Sequence, residues 1–416
     1  MLVGCVSVFG REAVQEFRLP NGLRVLLAEN HERPLVRLEF RTAWQPSREP
    51  EGLGEFLGEL LKTSGAGPLS RDAFQGFLEV RALRLSFAVL PRSFAWSILS
   101  DSQSQDGAFE ALALAATRPD LDGAAMEARR QSLIQAFREQ SPRIRVEDRF
   151  LRRIGDPSRS LIPEEGSLNR VEYQALLQLA RRILRPENAV LVIQGDMNLS
   201  QARQLSMLHL GAWARGSQVP AAARPLAQTP PTRTWLIREA GTAIQVKLGS
   251  PGTAEPPLSA SILELCAWLA QREVASSLPT PLKQGAFRSL AGGGWKLEVA
   301  GGTSMPEVMD AVQALLRHLR GLKLGSEDMA AARRAWMAGK QSRVLHPQQE
   351  AASLAERALL SDRVEEDTEQ LTAEGVQAAL QQLFAANSIS YFISGGVPQD
   401  TAWLVKAGLG PVETVN

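Results

Sequence analysis

At 416 residues the chain is well above the size of one typical domain, so two or three domains are expected. An apolar fraction of 44% suits a globular protein with a sizeable core, and 46 Lys plus Arg against 45 Asp plus Glu give a formal net charge of +1. That balance leaves no electrostatic footprint for nucleic acid and no acidic tail, which excludes nucleic-acid binding as a working assumption.

The N-terminus, MLVGCVSVF, has no basic n-region and too short an apolar core for a signal peptide. Its LVGC tetrapeptide has the form of a lipobox with Cys5 as the lipidated residue, but no h-region precedes it, and a first β-strand is expected instead. Cys5 and Cys266 are the only cysteines, which excludes a disulfide framework and any Cys-rich metal cluster. One bridge or two buried thiols are left, and buried thiols are expected. No apolar run is long enough to cross a bilayer.

Residues 17–28, FRLPNGLRVLLA, set an Asn-Gly pair between two apolar runs and predict a hairpin. Residues 35–42 alternate as a half-buried strand. Residues 52–62, GLGEFLGELLK, place Leu53, Phe56, Leu57, Leu60 and Leu61 on one stripe of an amphipathic helix. Another face carries Glu55 and Glu59 one turn apart, a mildly unfavourable pair. Strands are expected at 83–90 and 93–99, and helices near 107–117 and at 126–140. Ser141-Pro142 is read as the end of the latter. Ser167 is read as the cap of a helix at 172–184, and a buried strand follows at 188–194.

Residues 216–232 carry four prolines without periodicity and read as a linker. The predicted domains are thus 1–215 and 233–416. The second repeats the syntax of the first, with strands at 234–237, 243–248 and 296–300 and helices at 258–277, 306–320 and 326–340. Residues 173–194 and 376–394 are each a Leu/Ala/Gln-rich helix, an Asn and a strand that runs into Gly195 or Gly395. Those glycines lie 395 − 195 = 200 residues apart, which argues for one α+β unit present twice.

Nucleotide-binding glycine motifs and a nucleophile elbow are absent. The triple glycine at 292–294 reads as a turn. His31, His209, His318 and His346 are isolated, without i, i+4 partners, and read as surface or capping residues.

With the hairpin, the helix and the duplication in place, nearly the whole chain resembles the pitrilysin/insulinase metallopeptidases, the inverted zincins. It is most similar to their short two-domain bacterial and processing-peptidase branch. FRLPNGLRVLLAENHERPLVRLEF resembles the first hairpin of that family, GLGEFLGELL aligns without gaps on its G-L-x-H-F-L-E-H-x-L segment, and PENAVLVIQGDMN resembles the strand and turn that close each domain. The resemblance implies an α+β fold of two homologous domains, each a mostly antiparallel sheet packed by helices. It also implies where zinc chemistry would sit: two His ligands one turn apart, with a Glu base before the second. Glu55, Gly58 and Glu59 stand at those positions. The third ligand, a Glu on a downstream helix, falls at Gln135 or Ala136. A catalytic zinc needs three protein ligands and an open position, so these five are read as vestigial positions and no cofactor is expected.

The family also holds the substrate backbone with an Arg/Tyr pair in its second half. The matching segment, PLKQGAFRSLAGGG, puts Lys283 at the Arg and Arg288 or Phe287 near the Tyr. Tyr173 and Tyr391, the only tyrosines, match neither position. Lys283 and Arg288 are candidate peptide contacts, with solvated surface as the alternative. Three readings of Glu55 and Glu59 stay open: solvated remnants, partners of an Arg from the 126–140 helix with Arg129 as the candidate, or ligands of a hard cation.

The resemblance implies a catalytically inactive subunit that forms a peptide-binding chamber with a zinc-bearing homologous partner, as a hetero- or homodimer. Unstructured peptide would be held by strand addition, with 83–90 as the receiving edge. A scaffold subunit of a larger complex and a zinc-dependent endopeptidase with a non-standard site are the alternatives. Cytoplasm and periplasm both stay open.

Overall fold

The structure is a computed structural model describing residues 5–6, 14–44, 50–90, 93–156, 162–216, 231–239, 243–251, 260–290, 294–344, 347–360, 372–385, 389–399, 404 and 408–415. Gly292, Gly293, His346 and most of the 216–232 linker lie outside the described residues.

In chain order the first half contains β1 (Cys5–Val6), β2 (Val14–Arg18), β3 (Arg24–Glu29), β4 (Leu35–Ala43), α1 (Leu53–Leu61), α2 (Arg71–Val80), β5 (Arg84–Leu90) and β6 (Ser93–Asp101). It continues with α3 (Gln105–Thr117), α4 (Gly123–Glu139), α5 (Pro142–Ile154), α6 (Glu165–Arg170), α7 (Tyr173–Ile183), β7 (Ala189–Gly195) and α8 (Leu199–Leu210). The second half contains β8 (Thr234–Arg238), β9 (Gln245–Ser250), α9 (Ala260–Ser276), β10 (Leu282–Ser289), β11 (Trp295–Gly301), α10 (Met305–Arg320), α11 (Ser326–Val344), α12 (Pro347–Leu360), α13 (Ala373–Leu383), β12 (Ser390–Gly395) and β13 (Val412–Val415).

Two compact units result, each built on one mixed sheet. The first sheet runs β1-β2-β3-β7-β4-β6-β5 and the second β10-β11-β9-β12-β8-β13. Without the outer strands, β3-β7-β4-β6-β5 is matched strand for strand by β8-β12-β9-β11-β10. Within these five-strand sets one pair is parallel, β3 with β7 and β8 with β12, and the rest are antiparallel; the added outer strands differ, β2 joining β3 antiparallel and β13 joining β8 parallel. The duplication extends to backbone detail. Gly195 and Gly395 both have φ +123, and their carbonyls accept from Asn30 and Met197 in one unit and from Glu239 and Val397 in the other. That conformation suits glycine, and an added Cβ would lie 2.0 Å from the Leu35 carbonyl oxygen or 2.6 Å from that of Ala243.

The expected Asn-Gly hairpin joins β2 and β3. Asn21 is buried there, and its Nδ2 donates to the carbonyls of Leu210 (2.7 Å) and Trp213 (3.2 Å), tying the turn to the end of α8.

Strands β3, β7, β8 and β12 are largely apolar along their middles because both faces of the sheet are covered there. In the first unit Val25, Leu27, Leu191 and Ile193 enter the main core with α1, α3, α4, α7 and α8, while Leu26, Val190 and Val192 face α12. In the second, Leu236, Val246, Leu248 and Ile393 enter the core with α9, α10, α11 and α13, while Trp235, Ile237 and Phe392 face α5. Thus α5, from the first half of the sequence, belongs to the second unit, and α12, from the second half, to the first.

Two local readings change. Ser141-Pro142 separates α4 from α5 but starts the new helix: the Ser141 hydroxyl accepts from the Ile144 amide at 3.3 Å and Pro142 occupies the first turn, where a missing N–H costs nothing. Ser167 lies inside the short α6 rather than capping α7.

Candidate functional site

Helix α1 enters from Gly52, packs against α6, α7 and β5, and buries its expected apolar stripe in the first core. The two carboxylates on it have unlike surroundings. Glu55 is half-buried, whereas Glu59 is 8% exposed. Lys62 Nζ donates to Glu59 Oε1 at 2.6 Å, and a guanidinium nitrogen of Arg129, from α4, donates to Oε2. Burial pushes the Glu59 carboxyl up, but the hydrogen bonds and charges of Lys62 and Arg129 outweigh it and hold the carboxyl below its ordinary value. Glu59 is therefore the centre of an ion-pair cluster, not a solvated remnant.

Helix α4 turns Met126, Leu133 and Ile134 into the core. Arg130, on the same side, donates to the carbonyls of Leu168 and Val171 (2.7 Å to the latter), with its guanidinium 5.4 Å from the Phe56 ring. Gln135 is exposed and Ala136 half-buried.

Gly58 is a place of close approach. A Cβ there would lie 2.0 Å from Val89 Cγ2 and 3.4 Å from the Phe94 ring. The space that a side chain at 58 would need is filled from β5. One turn earlier the Trp44 ring covers Gly54 in the same way, and the Trp44 indole N–H donates to the Leu90 carbonyl at 2.9 Å. These contacts seat α1 tightly over the end of β5.

The donor set does not suit zinc. Among the described residues no group of three or more His, Cys, Asp or Glu side chains is placed to hold a metal ion. A cation added at Glu59 would face an ammonium and a guanidinium already on that carboxylate.

The described histidines sit on carboxylates. His31 lies between Asp196 Oδ1 (2.6 Å) and Glu29 Oε1 (2.8 Å), His209 is 2.8 Å from Asp106, and His318 is 2.9 Å from Glu273. The Asp196 hydrogen bond, then that of Glu29, raises the pKa of His31. Cys266 is a buried free thiol whose pKa burial pushes up to about 12.

Among the described strands β5 and β10 each pair on one side only and form equivalent edges of the two sheets. Lys283 and Arg288 are both exposed on β10. Lys283 sits at a register shift between Leu282 and Gln284, and Arg288 stands opposite Lys296 of β11.

Lys62 and Val89 were the site residues hardest to anticipate. Lys62 stands three residues after Glu59, a readable helical spacing. Val89 becomes a neighbour of Gly58 only through the packing of α1 on β5.

No sequence-family model matches the chain, and no curated protein matches it by sequence. Solved structures do match. A peptidase M16 inactive domain from Pseudomonas fluorescens superposes with a TM-score of 0.73 at 15% identity, covering 92% of this chain and 98% of that one. A protease from Helicobacter pylori gives 0.73 at 14%, covering 92% and 99%. The periplasmic protease PqqL from Escherichia coli gives 0.67 at 14%; 98% of this chain covers 51% of that one. The duplicated α+β units, with α1 over the edge of the first sheet, have the fold of the M16 peptidases.

Proposed function

We propose that this chain is a non-catalytic member of the pitrilysin/insulinase group, one subunit of a peptide-binding chamber completed by a zinc-bearing homologue. The observation that carries the proposal is the state of α1. Glu59 is neutralised by Lys62 and Arg129, and Val89 fills the space that a base at position 58 would need. A hydrolytic zinc needs three donors and a free position for water, and a carboxylate already clamped by two cations supplies neither.

What survives is the framework for holding extended chain. Strands β5 and β10 offer open edges, and backbone hydrogen bonds to an added strand need no catalytic group. Lys283 and Arg288 are the side chains we assign to peptide carbonyls. Size supports such a partner: this chain covers about half of PqqL, so two such chains match the extent of one. Among the described residues no helix is long and apolar enough to cross a membrane. PqqL is a periplasmic protein, and we take the periplasm as the first compartment to examine for this chain.

The test is to tag the full chain in its native host and purify it under mild conditions. The proposal expects a stoichiometric homologue bearing an intact H-x-x-E-H helix, with peptide hydrolysis that follows the complex and disappears on chelation. Recovery as a lone monomer or homodimer contradicts it.

A further inference from the structure

We infer that Arg129 and Lys62 supply at the α1–α4 joint the positive charge that a metal would supply there, and that Val89 closes the volume beside them, so the joint is complete without metal. The inference uses the non-catalytic reading only to assign positions 55, 58 and 59.

Three observations carry it. A carboxylate as buried as Glu59 needs a cation nearby, and each of its oxygens has one, from Lys62 at the C-terminal cap of α1 and from Arg129 on α4. Arg129 holds this position although its buried Nε finds no acceptor among the described residues. An unsatisfied donor is costly, so the contact with Glu59 is what keeps the guanidinium there. Finally, the Cβ position of residue 58 lies 2.0 Å from Val89, so β5 closes the site from a third side. Charge and volume are filled by residues from three separate elements, none of them at the family's ligand positions except Glu59 itself.

The consequence is that restoring the α1 residues alone will not restore a metal site. A dication at Glu55 and Glu59 would be repelled by Arg129 and Lys62 at short range, and a glutamate at 58 would strike Val89.

The test uses the full chain and added zinc chloride, with bound zinc measured after equilibrium dialysis. Glu55→His/Gly58→Glu/Glu59→His is expected to hold substoichiometric zinc, and the same triple with Val89→Ala and Arg129→Glu to hold one equivalent. One equivalent in the triple alone overturns the inference. Should these variants fail to fold, a thermal double-mutant cycle on Glu59→Gln and Arg129→Met decides. Each single change is expected to lower Tm by about 5 °C or more, the double by much less than the sum, and Arg129→Lys to recover most of the loss. Additive shifts overturn the inference while leaving the non-catalytic reading in place. Failure to find a zinc-bearing partner overturns that reading and leaves the cycle unaffected.

Discussion

Burial makes ionisation of Glu59 costly, and two cations more than offset that cost. Its folded pKa is therefore depressed below the unfolded value of about 4.3. The charge contributes stability that is fully present above the unfolded value and is lost as pH falls through the folded one. Urea unfolding of the wild type and Glu59→Gln should differ clearly near pH 7, and the gap should close as the pH is lowered; a pH-independent gap contradicts the pairing. His31 runs the opposite way. Its folded pKa is raised by Asp196 and Glu29 above the unfolded value of about 6.5. Its contribution is complete below that value and fades as pH rises through the folded pKa. His31→Gln should thus be less stable than wild type in mild acid and equal to it in mild alkali, with a small difference throughout because the pair is exposed.

Helix α1 shows how a glycine that weakens a helix can still be required by packing. In an exposed helix Ala is better than Gly by about 1 kcal/mol. At position 58 the added methyl would overlap Val89, and overpacking of this kind costs about 1–3 kcal/mol. Gly58→Ala should therefore destabilise the chain in urea unfolding, and Val89→Ala should suppress that loss; a Gly58→Ala variant as stable as wild type contradicts the close contact. The stripe of α1, the Asn21-Gly22 hairpin and the Gly195/Gly395 repeat were all legible because period, turn chemistry and spacing are local properties. Helices α5 and α12 were not. Their buried faces are complementary to strands from the other half of the sequence, and much of the α12 face is alanine: Ala351, Ala355 and Ala358. Arg129 was legible as a candidate from its helical phase. The Val89 contact, by contrast, depends on tertiary packing.

At the scale of the whole chain, one α+β unit has been used twice and each copy has kept its open edge strand. Sequence pattern was enough to find the duplicated α+β unit, and the fold itself was expected from the family resemblance that the hairpin, the helix and the closing strand carried. The Glu55/Glu59 pair on α1 was legible from spacing alone, and the resemblance alone marked it as a vestigial site. The surroundings of Glu59 and Gly58 were visible only in three dimensions, where Arg129 of α4 and Val89 of β5 meet α1. On the proposed reading, the joint of α1, α4 and β5 takes no catalytic zinc. The most direct measurement is elemental analysis of the purified full chain after incubation with zinc and desalting, run beside Glu59→Ala. Substoichiometric zinc is expected in both. One tightly held equivalent in the wild type, lost in Glu59→Ala, would contradict that reading.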